Sequence, residues 1–139
     1  MTERAMDTQR NIFIIDDEPS IRDVLHAHLR KEGYNIMSSR GGASVFDELR
    51  NNTFYIVICD IRMPEVDGLK VLEFVKTHYD TVPVIMLTGL SEVGVAVDVM
   101  KKGAFDYAVK PVQKKDLLVI VKKALDHRDL MARNKELER

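Results

Sequence analysis

The stretch Tyr55-Ile56-Val57-Ile58-Cys59-Asp60, followed by Ile61-Arg62-Met63-Pro64-Glu65-Val66-Asp67-Gly68, decides the fold. Five apolar residues in a row are too few for a typical helix and suit a strand buried on both faces. The acid Asp60 falls where that strand ends. Pro64 and Gly68 break regular structure before the next helical pattern begins. A carboxylate at the carboxyl end of a buried strand stands where open α/β sheets place their chemistry. A lone Asp there would ordinarily end the strand or cap a turn. Its meaning therefore depends on what the rest of the chain brings beside it.

Upstream, Ile12-Phe13-Ile14-Ile15 is a second short apolar run, ending in Asp16-Asp17-Glu18. Pro19 and Ser20 open a helix, with Ser20 the expected N-cap and Asp23 an acid in its first turn. Ile21, Val24, Leu25 and Leu29 form its apolar stripe, and Gly33 stops it. Residues 35–38 read as a weak strand. Gly41-Gly42 leads into a helix with Val45, Phe46 and Leu49 on one face. Downstream, residues 68–78 read as a helix carrying Leu69, Val71, Leu72 and Val75. Residues 83–87 form a fourth strand ending at Thr88-Gly89, and 93–102 a helix ended by Gly103. Residues 106–109 form a fifth strand ending at Lys110-Pro111, and one long helix runs from Gln113. Strand and helix alternate with short connections, which implies a parallel sheet with helices on both faces. Right-handed crossovers then favour a doubly wound, five-stranded, flavodoxin-like α/β sheet of order 2-1-3-4-5.

The 139 residues suit one domain, and 45% hydrophobic with 31% charged residues suits a globular protein. Nothing approaches the roughly 18 apolar residues of a membrane span, and the polar start has no signal core, which places the protein in the cytoplasm. Residues 1–10 are expected to be a flexible segment. Cys59 lies in the most apolar strand and reads as a small core residue. The four histidines show no metal spacing. Residues 1–109 carry 12 Lys/Arg against 17 Asp/Glu, while residues 110–139 carry 9 against 5. An acidic body argues against direct nucleic-acid binding, and the basic tail is mixed in sign like a solvated helix.

The strand order gathers the strand ends into one crevice: Asp16 and Asp17, Asp60, Thr88 and Lys110. Carboxylates 4–5 Å apart repel by roughly 3–4 kcal/mol per pair at an effective dielectric near 20. A divalent cation relieves that repulsion, and hard oxygens without His or Cys suit Mg2+. Carboxylate-held magnesium often awaits a phosphate, and a carboxylate can itself attack phosphorus. Asp60, alone on the middle strand, is the best nucleophile. Asp16 and Asp17 are the better metal ligands. Lys110 and Thr88 are placed to hold phosphoryl oxygens, and Gly89 leaves room beside Thr88 for the incoming group.

At these residues the chain resembles the receiver domain of bacterial two-component response regulators, the CheY-like family, in which the 2-1-3-4-5 order is the known one. The resemblance covers about residues 11–127. It rests on Asp16-Asp17-Glu18, Asp60 with Met63-Pro64 and Asp67-Gly68, Thr88-Gly89, and Lys110-Pro111. It implies that Asp60 accepts a phosphoryl group from a sensor histidine kinase or phosphotransfer protein. It implies that Asp17, Asp60 and the backbone carbonyl of Arg62 bind Mg2+, with Asp16 helping through water. Thr88 and Tyr107 would be the switch pair, and the Lys110–Pro111 peptide would be cis. Such a domain is a signalling switch whose catalysis is limited to its own phosphorylation and slow dephosphorylation. Two positions depart from common patterns: Gly89 where many relatives have Ala, and Arg62, whose side chain is expected to reach over the pocket mouth.

Residues 128–139 extend the last helix. Leu117, Leu118, Val121, Ala124 and Leu125 are expected on the sheet. Leu130 and Leu137, seven apart with Asn134 between, make a short heptad seam. A linker to an output domain absent from this chain and a homodimer contact both fit, and a fraying helix end fits as well. An extended helix of this kind resembles NtrC-type regulators, whose output is a sigma-54-dependent ATPase; cyclic-nucleotide enzymes use similar linkers. The chain is expected to stop at a domain boundary, and it holds no helix-turn-helix or P-loop. A magnesium phosphatase with an aspartyl nucleophile is a rival, but it usually carries an acid two residues on, where Arg62 stands. A flavin-binding module is another, but Asp16-Asp17-Glu18 would repel the flavin phosphate.

Overall fold

The computed structural model describes residues 10–137, in which strands and helices alternate. The elements are β1 (Asn11–Ile15), α1 (Pro19–Arg30), β2 (Asn35–Ser39), α2 (Val45–Arg50), β3 (Ile56–Asp60) and α3 (Gly68–His78). After them come β4 (Val84–Thr88), a 3-10 turn (Leu90–Glu92), α4 (Val93–Lys101), β5 (Asp106–Val109) and α5 (Lys114–Leu137). The sheet is wholly parallel with order β2-β1-β3-β4-β5, as the alternation predicts. Ile15 pairs in register with Cys59, Asp60 with Leu87, and Thr88 with Val109. The ends of β1, β3, β4 and β5 therefore meet along one edge.

Side-chain alternation along the strands feeds two cores. Ile12, Ile14, Ile56, Ile58, Ile85 and Leu87 pack under α1 and α5. Phe13, Ile15, Val57, Cys59, Val84 and Met86 pack under α2, α3 and α4. Every residue of β3 and β4 is buried, which explains their unbroken apolar runs. Cys59 is fully buried, and burial pushes its thiol well above the ordinary value. No helix among the described residues is long and apolar enough to cross a membrane.

The local expectations for α1 need correcting. Its N-cap is Glu18, with Pro19 inside the first turn, and no acid lies in that turn. Proline fixes the φ that a first helical residue needs, so the helix starts earlier than a Ser20 cap would allow. The Glu18 N–H is instead taken by Asp16 Oδ1 at 2.9 Å. Leu25 and Leu29 are buried as expected, but Val24 is 47% exposed, one position off the buried stripe. Tyr55 and Pro83 lie just outside their strands. Apart from Arg10, the segment 1–10 lies outside the described residues. So do residues 138–139 and the side chains of 135–137, including Leu137 of the heptad seam.

Candidate functional site

The edge where the strands end is built by the loops that follow them. Gly68 opens α3 directly against β3: its N–H donates to Ile61 O at 2.7 Å. A Cβ on Gly68 would lie 2.1 Å from the carbonyl oxygen of Asp60, so no larger residue fits without moving the strand end. Asp67 caps α3, accepting the Lys70 N–H at 3.1 Å. Between these anchors Glu65 takes a φ of 68°, and the Val66 N–H bonds back to Pro64 O at 2.7 Å. That is the γ-turn geometry, which is costly for a residue with a side chain.

Asp16, Asp17 and Asp60 each aim a carboxylate oxygen into the crevice, and the three oxygens lie within 4.8 Å of one another. Asp16 is fully buried, Asp60 is 4% exposed and Asp17 is half-buried. Lys110 enters from beyond β5. Its Nζ lies 3.1 Å from Asp16 Oδ2 and 3.2 Å from Asp60 Oδ1, with Glu18 Oε1 at 3.6 Å. The acids are therefore partly neutralised by the chain's own ammonium, which the sequence assigned to phosphoryl oxygens. The neutralisation is incomplete. Burial first, and then the charge of Asp16, raises the Asp60 carboxyl to about 6 against the pull of Lys110. Burial also raises Asp16, although the Glu18 N–H and Lys110 oppose it. For Lys110, burial pulls down, but Asp16 and Asp60 outweigh it and hold the ammonium above its ordinary value.

This donor set fits a hard divalent cation. It offers carboxylate oxygens without His or Cys, and Asp16 Oδ2 is buried with no aligned hydrogen bond. The three acids could hold Mg2+.

The other expected site residues lie on β4, on β5 and in the loops after β3, β4 and β5. Thr88 is fully buried, and its Oγ1 donates to the Gly89 carbonyl at 2.9 Å. Tyr107 is half-buried, packed at the margin of the core beneath α4. The Lys110–Pro111 peptide is cis. Arg62, expected to reach over the pocket mouth, pairs through its Nε with Glu92 Oε2. Beside Gly89 stands the Glu92 carboxylate, whose Oε1 accepts the Gly89 N–H at 3.2 Å.

Sequence reasoning missed three residues. Glu92 lies in a short 3-10 turn with no periodic pattern, although an acid four residues past Thr88 was a usable signal. Arg22 holds the Asp16 carbonyl with Nη1 at 2.6 Å. Glu18 was read as part of the acidic run and serves as N-cap and as a third neighbour of Lys110.

A five-stranded doubly wound sheet with buried acids at the ends of its first and third strands, a threonine ending the fourth and a lysine following the fifth, defines a receiver-like switch domain. Residues 12–122 match the response regulator receiver domain, and the chain belongs to that family, in which phosphoryl acceptance within two-component systems is general. ZraR of Escherichia coli strain K12 is 37% identical over 117 residues, 84% of this chain and 26% of that protein. NtrC of Proteus hauseri is 35% identical over 117 residues, 84% of this chain and 25% of its own length. The chain thus spans about a quarter of these relatives. Among solved structures, a response regulator receiver domain protein of Clostridium thermocellum aligns with TM-score 0.81 and 30% identity, covering 88% of this chain and 98% of that one. NtrX from Brucella abortus aligns with TM-score 0.85 and 27% identity, over 91% of this chain and 29% of that one.

Proposed function

We propose that this domain is a phosphorylation switch in which Asp60 takes a phosphoryl group from a phosphohistidine on a sensor kinase or phosphotransfer protein. The observation that carries this reading is the cluster of Asp16, Asp17 and Asp60 oxygens within 4.8 Å, with Lys110 reaching two of the three acids. Asp60 is the nucleophile: it ends the central strand, with its backbone fixed by Gly68. Asp17, Asp60 and the Arg62 carbonyl would hold Mg2+, with Asp16 assisting through water. When bound, the cation offsets the repulsion among the acids and the charge on phosphoryl oxygens.

The chain's own residues do the rest. Lys110 leaves its place between Asp16 and Asp60 to meet a phosphoryl oxygen. The Thr88 hydroxyl exchanges the Gly89 carbonyl for another phosphoryl oxygen, and Tyr107 moves inward to fill the space that Thr88 leaves. Phosphorylation of this kind would signal through β5 and α5 to an output domain on a longer protein or to a second copy of the chain. The similarity to ZraR and NtrC supports an output in transcription control.

The test uses acetyl phosphate, or beryllofluoride, with magnesium. Wild type should gain the mass of one phosphoryl group or show amide shifts at residues 60, 88 and 107, and Asp60→Asn should do neither. A wild type with unchanged mass and unchanged amide shifts would sink the assignment.

A further inference from the structure

Arg62 lies two residues past Asp60 in the loop after β3, and Glu92 ends the turn after β4. The two strands are neighbours, with Asp60 opposite Leu87, so the Arg62–Glu92 pair joins the two loops flanking the β3–β4 side of the crevice. The burden of the pair is uneven: the Arg62 side chain is 73% exposed and that of Glu92 only 14%. The acid is thus drawn inward. One carboxylate oxygen holds Arg62 Nε, and the other accepts the Gly89 N–H at 3.2 Å. Glycine at position 89 leaves this approach unhindered, since a Cβ there would stand 3.3 Å from the same oxygen and nudge it by a few tenths of an ångström. Gly89 in turn supplies the carbonyl that engages the Thr88 hydroxyl at 2.9 Å. The two unexplained departures in the sequence, Arg62 and Gly89, therefore converge on one residue.

A backbone N–H that donates to one anionic oxygen is suited to donate to another. Resting on the reading that Asp60 is phosphorylated, we propose that Glu92 is a positioning residue that stands in for the phosphoryl group in the resting domain. Its carboxylate occupies the Gly89 amide and, clamped by Arg62, keeps the 88–92 loop and the Thr88 hydroxyl turned away from Asp60. When an Asp60 oxygen bonds to phosphorus and the phosphorus–oxygen bond to the leaving acetate breaks, a phosphoryl oxygen takes over the Gly89 N–H and Glu92 is expelled. The clamp opposes phosphorylation and is broken by it.

The experiment measures the rate of aspartyl phosphate formation from acetyl phosphate and magnesium in wild type, Glu92→Ala, Glu92→Gln, Arg62→Ala and the Arg62→Ala/Glu92→Ala pair. Glu92→Ala should be about threefold to tenfold faster, the range set by an exposed ion pair and a hydrogen bond to a charge. Glu92→Gln, which retains an acceptor without the charge, should fall between it and wild type. The double variant should match Glu92→Ala, because both residues act through one contact. Without donor, the Gly89 amide resonance should move in Glu92→Ala, a change that general loosening elsewhere would not produce. A phosphorylated wild type with variants within about twofold of it overturns this inference alone, as does acceleration without a Gly89 shift. A wild type that takes no phosphoryl group overturns the functional reading and this inference together. Arg62→Ala alters an exposed side chain, so it decides the matter if the Glu92 variants fail to fold: faster phosphorylation than wild type supports the clamp, and an unchanged rate overturns it.

Discussion

The two edges of the sheet are built to different ends. At the amino edge, polar groups stay near water or meet soft partners. Asn11 Nδ2 donates to Thr53 O at 2.8 Å, and the Tyr55 N–H donates to Asn11 O at 2.8 Å. Arg128 lays its guanidinium 3.8 Å from the Tyr55 ring centroid, and His127 packs on Phe105. At the carboxyl edge, Thr88 is buried, and Asp16 and Asp60 are buried as like charges with a single lysine between them. Burying a charge without full compensation is costly, so the second edge lowers stability where the first adds to it. The fold holds because the cost falls at the ends of strands whose middles are wholly apolar.

The largest expected effect tests how rigid the carboxyl edge is. Gly68→Ala should lower stability by about 3 kcal/mol in urea unfolding, since its Cβ would meet the Asp60 carbonyl. A loss under about 1 kcal/mol would show that this edge yields easily. Next, Asp60→Asn should stabilise the magnesium-free chain by about 1–3 kcal/mol at pH 7. The sign follows from the folded carboxyl titrating at about 6, above its ordinary 3.8. Between those values the folded state keeps a proton that the unfolded state has lost. The Asp60 contribution to stability therefore falls as pH rises from about 4 to about 6, then levels off. Subtracting the Asp60→Asn curve from wild type should isolate that fall, and saturating magnesium should abolish it. A wild type more stable than the variant at pH 7 without metal would contradict the comparison. The smallest effect belongs to the amino edge. Arg128→Ala should cost about 0.5–1 kcal/mol by loss of the cation–π contact, and magnesium should leave that difference unchanged.

The sheet was legible because its strands are short, apolar and separated by helical patterns, and Ile56–Asp60 alone announced a strand buried on both faces. The members of the acid cluster were legible for the same reason, since each ends or follows a strand and the order of strands brings the ends together. How their charge is balanced was not. Whether Lys110 waits for a ligand or bridges Asp16 and Asp60 depends on a tertiary distance that no pattern encodes. The start of α1 was misread because proline at the first helical position and serine one residue later both signal a helix start, and the backbone followed the proline. Glu92 escaped notice because a three-residue turn has no periodicity to read.

Helix α5 has a mechanical consequence of its own. Leu117, Val121, Ala124 and Leu125 seat its first half on the sheet, and Arg128 on Tyr55 fixes the point where it leaves. From Leu125 to Leu137 the same helix continues for about 18 Å at 1.5 Å per residue. A tilt of about 5° at the seat would displace the far end by roughly 1.5 Å over that reach. A rod anchored at one end thus works as a lever: slight repacking at its seat becomes a larger movement at its far end.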